Sequence, residues 1–294
     1  MPEQKAGGDV QPGLLTEYLS ADLGFFVRST REFERFQSPF QVVEVHDTGP
    51  FGTLFRLDGH FMTSEKDEFF YHENLVHTAA ITHPAPERAL IIGGGDGGSA
   101  EELLKYPTIK SVTLVEIDLA VIDIARKYFG RVHRGAFSDP RLTVKLEDGL
   151  AFVRRSTETY DLIVLDLTDP GGPSEALYTT DFYRGCAARL NPTGAMTLHI
   201  ASPVAHPDRI RAGLANLRAA FAVVAPYLVT VPLYGGLWMM ACASSTLNPA
   251  YLTPFDVNRR IAQRTIRDLQ YYNGDMHRAS FALPNFVREL LAAT

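Results

Sequence analysis

Residues 88–104, "RALIIGGGDGGSAEELL", decide how the chain is to be read. An apolar run leads into glycines and then into a helix-forming run, which is the order strand, tight turn, helix. Gly93, Gly95 and Gly98 keep the G-x-G-x-x-G spacing of a dinucleotide turn, and the acidic Glu116 stands 21 positions after Gly95. Asp96 works against a dinucleotide. A carboxylate offered by the same turn would repel a pyrophosphate. It suits an adenosine with a positive tail, because the ammonium pairs with Asp96 while the glycines let the ligand approach the backbone.

Working outward, the same strand-then-helix order repeats. "SVTLVEI" leads to "DLAVIDIARKYF", "LTVKLE" to "DGLAFVRRS", and "YDLIVLDL" to a Pro/Gly loop and "TTDFYRGCAARL". Alternation of this kind predicts a parallel-rich sheet covered by helices on both faces, with further strands at "GAMTLHIA", "FAVVAPYLVT" and "WMMACAS". Ligands of such sheets bind beyond the carboxyl ends of the strands. There the chain is acidic: Asp96 after the first strand, Glu116 in "EID", Asp148 in "EDG", then Asp166 and Asp169 in "DLTDPGGP". Glu116 is placed to accept from two ribose hydroxyls, and Asp148 from an adenine amino group. Any one of these acids alone reads as an exposed turn residue. Four successive strand ends converging on one crevice read as a site for a cationic nucleoside.

Upstream, residues 40–64 alternate between short β-rich runs and Gly-Pro, Phe-Gly and Asp-Gly breaks, which predicts a small antiparallel unit. "KDEFFYHENLVHTAAITH" follows with helical spacing and stops at Pro84. The fold expected is α/β: a parallel-rich sheet over 68–294, preceded by a small N-terminal antiparallel β domain over 1–67. A net charge of −6 argues against nucleic acid as a partner. No apolar run approaches the length of a membrane span, so no membrane partner is expected, and a cytoplasmic location is. Cys186 and Cys242, 56 positions apart, read as buried apolar residues rather than a disulfide or metal knuckle. His133 reads as a loop histidine, and "YYNGDMHRASFALPNFVREL" as a C-terminal helix with its lead-in.

Taken together, "SPFQ", "LDG", "SEKDEFFYHE", "LIIGGGDGG", "EID", "EDG", "DLTDPGGP", "LYTTDFY", "VPLYGG" and "YYNGDMHRASFALP" resemble the spermidine synthase family of polyamine aminopropyltransferases, over about Ser38 to Leu290. The resemblance implies that the parallel-rich sheet is a Rossmann-like, methyltransferase-type domain, and that an aminopropyl group passes from decarboxylated S-adenosylmethionine, a co-substrate, to a diamine, putrescine by default, with no cofactor and no metal. It assigns Gln41, Gly93, Gly95, Asp96, Glu116, Asp148, Gly149 and Asp169 to the donor. Asp166 and Tyr71 become the catalytic pair, and Tyr71, His72, Asp96, Asp166, His199 and Tyr234 line the acceptor channel. The "DPGGP" segment falls where the family has a mobile gate, and self-association as a homodimer or homotetramer is expected. His199 stands where the family often has glutamine, and "VPLYGGLWMMACAS" departs around Leu233 and Trp238, so cadaverine, agmatine or a longer polyamine are alternative acceptors.

Three other readings are weaker, and the first, a polyamine or nucleoside sensor that binds without turnover, leaves Asp166 and Tyr71 without a use. A methyltransferase using intact S-adenosylmethionine would set Asp96 against the methionine carboxylate, and the acid usual at the start of its glycine loop is replaced by Ile91 and Ile92. "HENLVH" hints at zinc, but His72 and His77 are five apart, about 140° around a helix, and do not share a metal.

Overall fold

In the computed structural model, which describes residues 13–170 and 172–292, two sheets organise the chain. The first is antiparallel, in the order β1 (Leu14–Tyr18), β2 (Gly24–Gln37), β3 (Val42–Thr48), β4 (Gly52–Leu57), β5 (His60–Ser64). The last three are the strands expected within residues 40–64. The first two escape the alternation test, because β2 carries Arg28, Arg31, Glu32, Glu34 and Arg35 and is exposed along most of its length. The β4–β5 hairpin turns on Asp58 (φ 48°) and Gly59 (φ 84°), the left-handed pair that a tight hairpin requires and Asp-Gly supplies.

A helix, α1 (Glu68–Thr82), joins this sheet to the second and ends on His83, ahead of Pro84. There follow β6 (Arg88–Gly93), α2 (Gly98–Leu104), β7 (Ser111–Glu116), α3 (Leu119–Tyr128), α4 (Gly130–His133), β8 (Leu142–Leu146), α5 (Gly149–Arg155) and β9 (Tyr160–Asp166). The chain continues through α6 (Thr180–Ala187), β10 (Leu190–Ala201), α7 (Pro207–Arg218), β11 (Val223–Val231) and β12 (Gly236–Ser244) to α8 (Pro254–Gln263), α9 (Gly274–Ser280) and α10 (Asn285–Ala292). The second sheet runs β11-β12-β10-β9-β6-β7-β8. It is parallel from β10 to β8, while β12 runs antiparallel to β10 and β11. This is the expected parallel-rich, methyltransferase-like α/β fold.

Side chains along β6 alternate between two cores, as a strand covered on both faces demands. Ile91 joins Leu75, Ala79, Leu114 and Val164 on one side, and Leu90 and Ile92 join Phe152, Phe182 and Leu214 on the other. A third core, Val43, Val45, Phe55 and Leu57 against Val121, Ile124, Phe129 and Val132, fastens the small sheet over α3 and α4. That contact lays β4 and β5 across the carboxyl ends of β6 and β7. Because α1 is enclosed between these layers, it is buried from Tyr71 to Thr82 on nearly every side, and its polar residues must find partners inside the protein.

Three local readings need correction. His133 closes α4 and is buried rather than lying in an exposed loop; Arg134 (φ 43°) and Gly135 (φ 87°) then break the helix. The C-terminal segment forms two helices, α9 and α10, separated at Pro284. Strand β10 starts at Leu190, with an irregular register before Ala195. Cys186 and Cys242 are buried free thiols. Among the described residues no helix is long and apolar enough to cross a membrane.

Candidate active site

The strand order reverses between β6 and β9, since β7 and β8 lie to one side of β6 and β9 and β10 to the other. A crevice must open there, at the carboxyl ends. Gly93 pairs with Asp166 across it. At Gly93 (φ 79°) a Cβ would sit 2.2 Å from the Asp166 carbonyl oxygen, so only glycine lets the two strand ends close together. The turn is latched by Gly94 N–H donating to that carbonyl at 2.8 Å.

A cavity of about 130 Å³ fills the crevice, lined by Gly93–Asp96, Glu116, Asp148, Gly149 and Asp166 from the strand ends and roofed by Gln41, Leu57 and Met62 of the small sheet. The sequence-derived donor residues therefore share one chamber, Asp169 excepted. Glu116 is almost wholly enclosed; burial lifts its carboxyl to about 7 despite the Asp118 N–H it accepts at 2.9 Å. Gln41 donates to Asp118 at 3.0 Å, beside Ser38 at 2.6 Å, which holds the roof to the β7–α3 turn. Asp148 caps α5 by accepting the Ala151 N–H at 2.7 Å.

Asp96 and Asp166 meet at the far end of this chamber. Asp166 accepts the Ser99 hydroxyl at 2.7 Å; burial raises its pKa, Asp96 adds to the rise, and His72 opposes it. Burial works against ionising Asp96 too, yet the His72 ring and the Gly98 N–H outweigh it and hold that carboxyl below its ordinary value. His72 Nε2 lies 3.3 Å from Asp96 and 3.9 Å from Asp166.

A second cavity, of about 330 Å³, adjoins the first and shares Gln41, Leu57, Met62, Leu167, Thr168 and Tyr234 with it. Asp169 is here, not in the first cavity, 3.2 Å from His199 Nε2 and 3.5 Å from Arg209. His199 Nδ1 faces the Tyr71 hydroxyl at 2.9 Å. With Asp169 drawing the ring proton to Nε2, Nδ1 accepts from Tyr71, which leaves the phenol oxygen free to accept from an amine. The Tyr234 ring lies 5.7 Å from that of Tyr71 and 5.3 Å from that of Trp238. Tyr234 donates its hydroxyl to Met62 O at 2.6 Å, and Asp67 accepts the Leu233 N–H at 2.8 Å, so both ends of this wall are tied down. The expected gate, residues 169–173, includes Gly171, which lies outside the described residues.

The sequence and the fold match known proteins. A sequence profile described as the spermine/spermidine synthase domain matches residues 68–252. The polyamine aminopropyltransferase of Nitrosomonas europaea is 50% identical over 276 residues, covering 94% of this chain and 85% of that one. The chain belongs to the polyamine aminopropyltransferase family. A crystal structure of spermidine synthase in complex with the transition state analogue AdoDATO superposes with a TM-score of 0.90 at 34% identity, covering 98% of this chain and 99% of that one. Spermidine synthase from Thermotoga maritima gives a TM-score of 0.87 at 32% identity, with 97% and 96% covered.

Within this aminopropyltransferase, several site residues went unread in the sequence. Glu68 stands four positions before His72, a helical pairing that the motif "EFFYH" displays. Ser99 opens α2, and Tyr178, in "LYTTDFY", bridges Thr168 O at 2.8 Å and His199 at 3.3 Å. Arg209 carries no local signal. Among the described residues, two groups of three bring ligand-type atoms within 4.8 Å of one another: His72, Asp96 and Asp166, and Glu32, Glu44 and His46. In the first the imidazole already stands between the acids, and in the second Glu44 is paired with Arg35 and Arg56. His77, the other half of "HENLVH", faces away toward Tyr106 at 2.7 Å and Glu102 at 2.8 Å.

Proposed function

We propose that the protein is a spermidine synthase: it transfers the aminopropyl group of decarboxylated S-adenosylmethionine to putrescine, giving spermidine and 5′-methylthioadenosine. One observation carries this reading. The acids at the ends of β6, β7, β8 and β9 line a single chamber whose far end opens into a second one walled by aromatic rings.

The donor's ribose lies against Glu116 and its adenine against Asp148 and Gly149, while Asp96 takes the aminopropyl ammonium. The diamine enters by the second chamber, past His199 and Tyr234, and reaches Tyr71 in the first. Its nitrogen attacks the propyl carbon, the carbon–sulfur bond breaks, and the electron pair leaves on sulfur. The sulfonium is already a good leaving group, so the protein's work is to hold a neutral amine in line. Freeing an alkylamine of pKa about 10.4 from its proton near neutral pH costs about 4–5 kcal/mol. The amine therefore sheds its ammonium proton to solvent before attack, and Asp166 accepts a proton from the secondary ammonium that bond formation creates; its pKa, raised by burial, suits it to the task. Tyr71 accepts a second N–H and fixes the lone pair's direction. Asp169, tied to His199 and Arg209, acts on the acceptor side and orients His199.

We further take residues 1–67 and 68–294 as two domains of one cytoplasmic enzyme that needs no cofactor. The exposed Tyr18, Leu23 and Phe26 of the outer β1–β2 hairpin suit self-association as a dimer or tetramer. The decisive experiment mixes the purified protein with decarboxylated S-adenosylmethionine and putrescine, cadaverine, agmatine or spermidine, and reads products by mass spectrometry. Spermidine from putrescine is expected to dominate. Methyl transfer from the intact donor, or no product from any amine, would refute the proposal.

A further inference from the structure

The group nearest to both facing carboxylates in the cleft is an imidazole. His72 is 2% exposed, and each ring nitrogen meets a carboxylate: Nδ1 lies 2.8 Å from Glu68 Oε2, and Nε2 lies 3.3 Å from Asp96 Oδ2. A neutral ring has one N–H and would turn a lone pair toward one of these anions. Only the imidazolium donates to both. The ring packs directly on the Gly98 backbone, where a Cβ would lie 2.3 Å from it and only glycine leaves it room.

We propose that Glu68 is a positioning residue for aminopropyl transfer: acting through His72, it keeps a fixed cation against Asp96, so that Asp96 stays a carboxylate for the donor while Asp166 is left as proton acceptor. The inference rests on the function proposed above. Its physical basis is the unequal reach of one ring nitrogen, 3.3 Å to Asp96 against 3.9 Å to Asp166. Two carboxylates sharing so small a space repel, and a cation nearer to one of them separates their protonation. Asp96 remains ionised, and the burden of burial falls on Asp166.

The surroundings favour the charge. Asp67 and Glu68 face the ring from the start of α1, Asp96 from the β6–α2 turn and Asp166 from the end of β9. Opposing them, Arg134 stands 3.9 Å beyond Glu68 and also leans on Glu101 at 3.8 Å, and buried His133 lies behind Asp96. Burial disfavours a charged His72, but the carboxylates prevail and raise its pKa well above the ordinary histidine value.

Nitrogen-detected NMR of the imidazole rings tests this on the substrate-free protein. His72 is expected to carry two ring protons throughout pH 6–9 in the wild type and to titrate inside that window in Glu68→Gln. A neutral His72 in the wild type at pH 7, or a wild-type titration in the variant, would overturn the proposal. A second readout is the pH dependence of kcat/KM. In Glu68→Gln its acidic limb should move up by about one unit, with donor Kd about tenfold weaker at pH 7, whereas a packing defect alone would lower the whole profile without displacing it. An undisplaced limb counts against Glu68. Glu68→Asp, which restores the carboxylate, should bring the limb part of the way back. The ring titration needs no substrate, so it decides the Glu68–His72 pairing whether or not the wild type converts putrescine.

Discussion

The chamber proposed for the donor and the one proposed for the acceptor meet at Tyr234 and Thr168, yet they are assembled differently. In the first, Asp96, Glu116, Asp148 and Asp166 each follow a parallel strand, and the sheet brings them together by its own spacing. In the second, Glu17 and His60 come from the small sheet, Asp169 from a loop, His199 from β10, Arg209 from α7 and Trp238 from β12. The difference means that the two chambers are fixed by different parts of the fold. The first chamber depends on backbone geometry that the core holds, and the second on side chains contributed by separate elements. Replacements should therefore affect donor and acceptor kinetics separately.

The sharpest way to break that division is at the boundary. Asp166→Asn should lower kcat by roughly 10²–10⁴-fold, the range for a lost general base, and leave donor Kd nearly unchanged by calorimetry. Near-normal turnover would remove Asp166 from the chemistry.

Glu116→Gln comes next. Losing a charge-assisted bond worth about 1.5–3 kcal/mol weakens donor binding roughly 10–100-fold, with acceptor KM little affected. Because burial lifts Glu116 to about 7, donor affinity of the wild type should also rise as pH passes upward through that value. The stability effect has the opposite sense. A carboxyl raised on folding contributes stability that is complete below its ordinary pKa and is lost as pH rises through the folded one. The melting temperature of Glu116→Gln relative to wild type should therefore increase between pH 5 and pH 8. A pH-independent difference would deny that Glu116 is the buried titrating group.

Changes in the second chamber should be smaller and confined to the acceptor. Trp238 walls the cavity with Tyr234 and His199, and Trp238→Ala should shift the kcat/KM ratio of spermidine to putrescine upward by about tenfold, because removing the indole opens space for the longer amine. Arg209→Gln removes a half-exposed pairing with Asp169, worth at most about 1 kcal/mol, so acceptor KM should move less than about fivefold. A change in donor Kd in either variant would show that the chambers are coupled.

Much of the first chamber can be read from residues. The glycine turn, the acid at each strand end and the Asp-Gly hairpin are local patterns, and the structure puts each where its pattern says. Asp169 is the instructive exception. Three positions beyond Asp166 it looks like a member of the same set, but the chain has left the strand by then and aims it at His199 and Arg209. Glu73 shows the same limit. Its place in α1 says nothing of the Gln270, Tyr271 and Tyr272 N–H groups it accepts at 2.6, 2.9 and 2.6 Å, contacts that dock the "YYNGDMH" segment. His277 in that segment bonds Tyr272 at 2.5 Å and Pro249 O at 2.9 Å, inside the fold and away from the cleft.

By itself, the order of residues determined the parallel-rich sheet, the roof of short strands and the acids at the crest, because periodicity and turn chemistry act over a few neighbouring positions. Tertiary packing decided which acids face one another, which of them a buried histidine stands closer to, and which side chains line the second cavity. Those outcomes depend on burial and on distances of 3–4 Å between segments up to about 130 residues apart, such as Tyr71 and His199, and no local pattern encodes them.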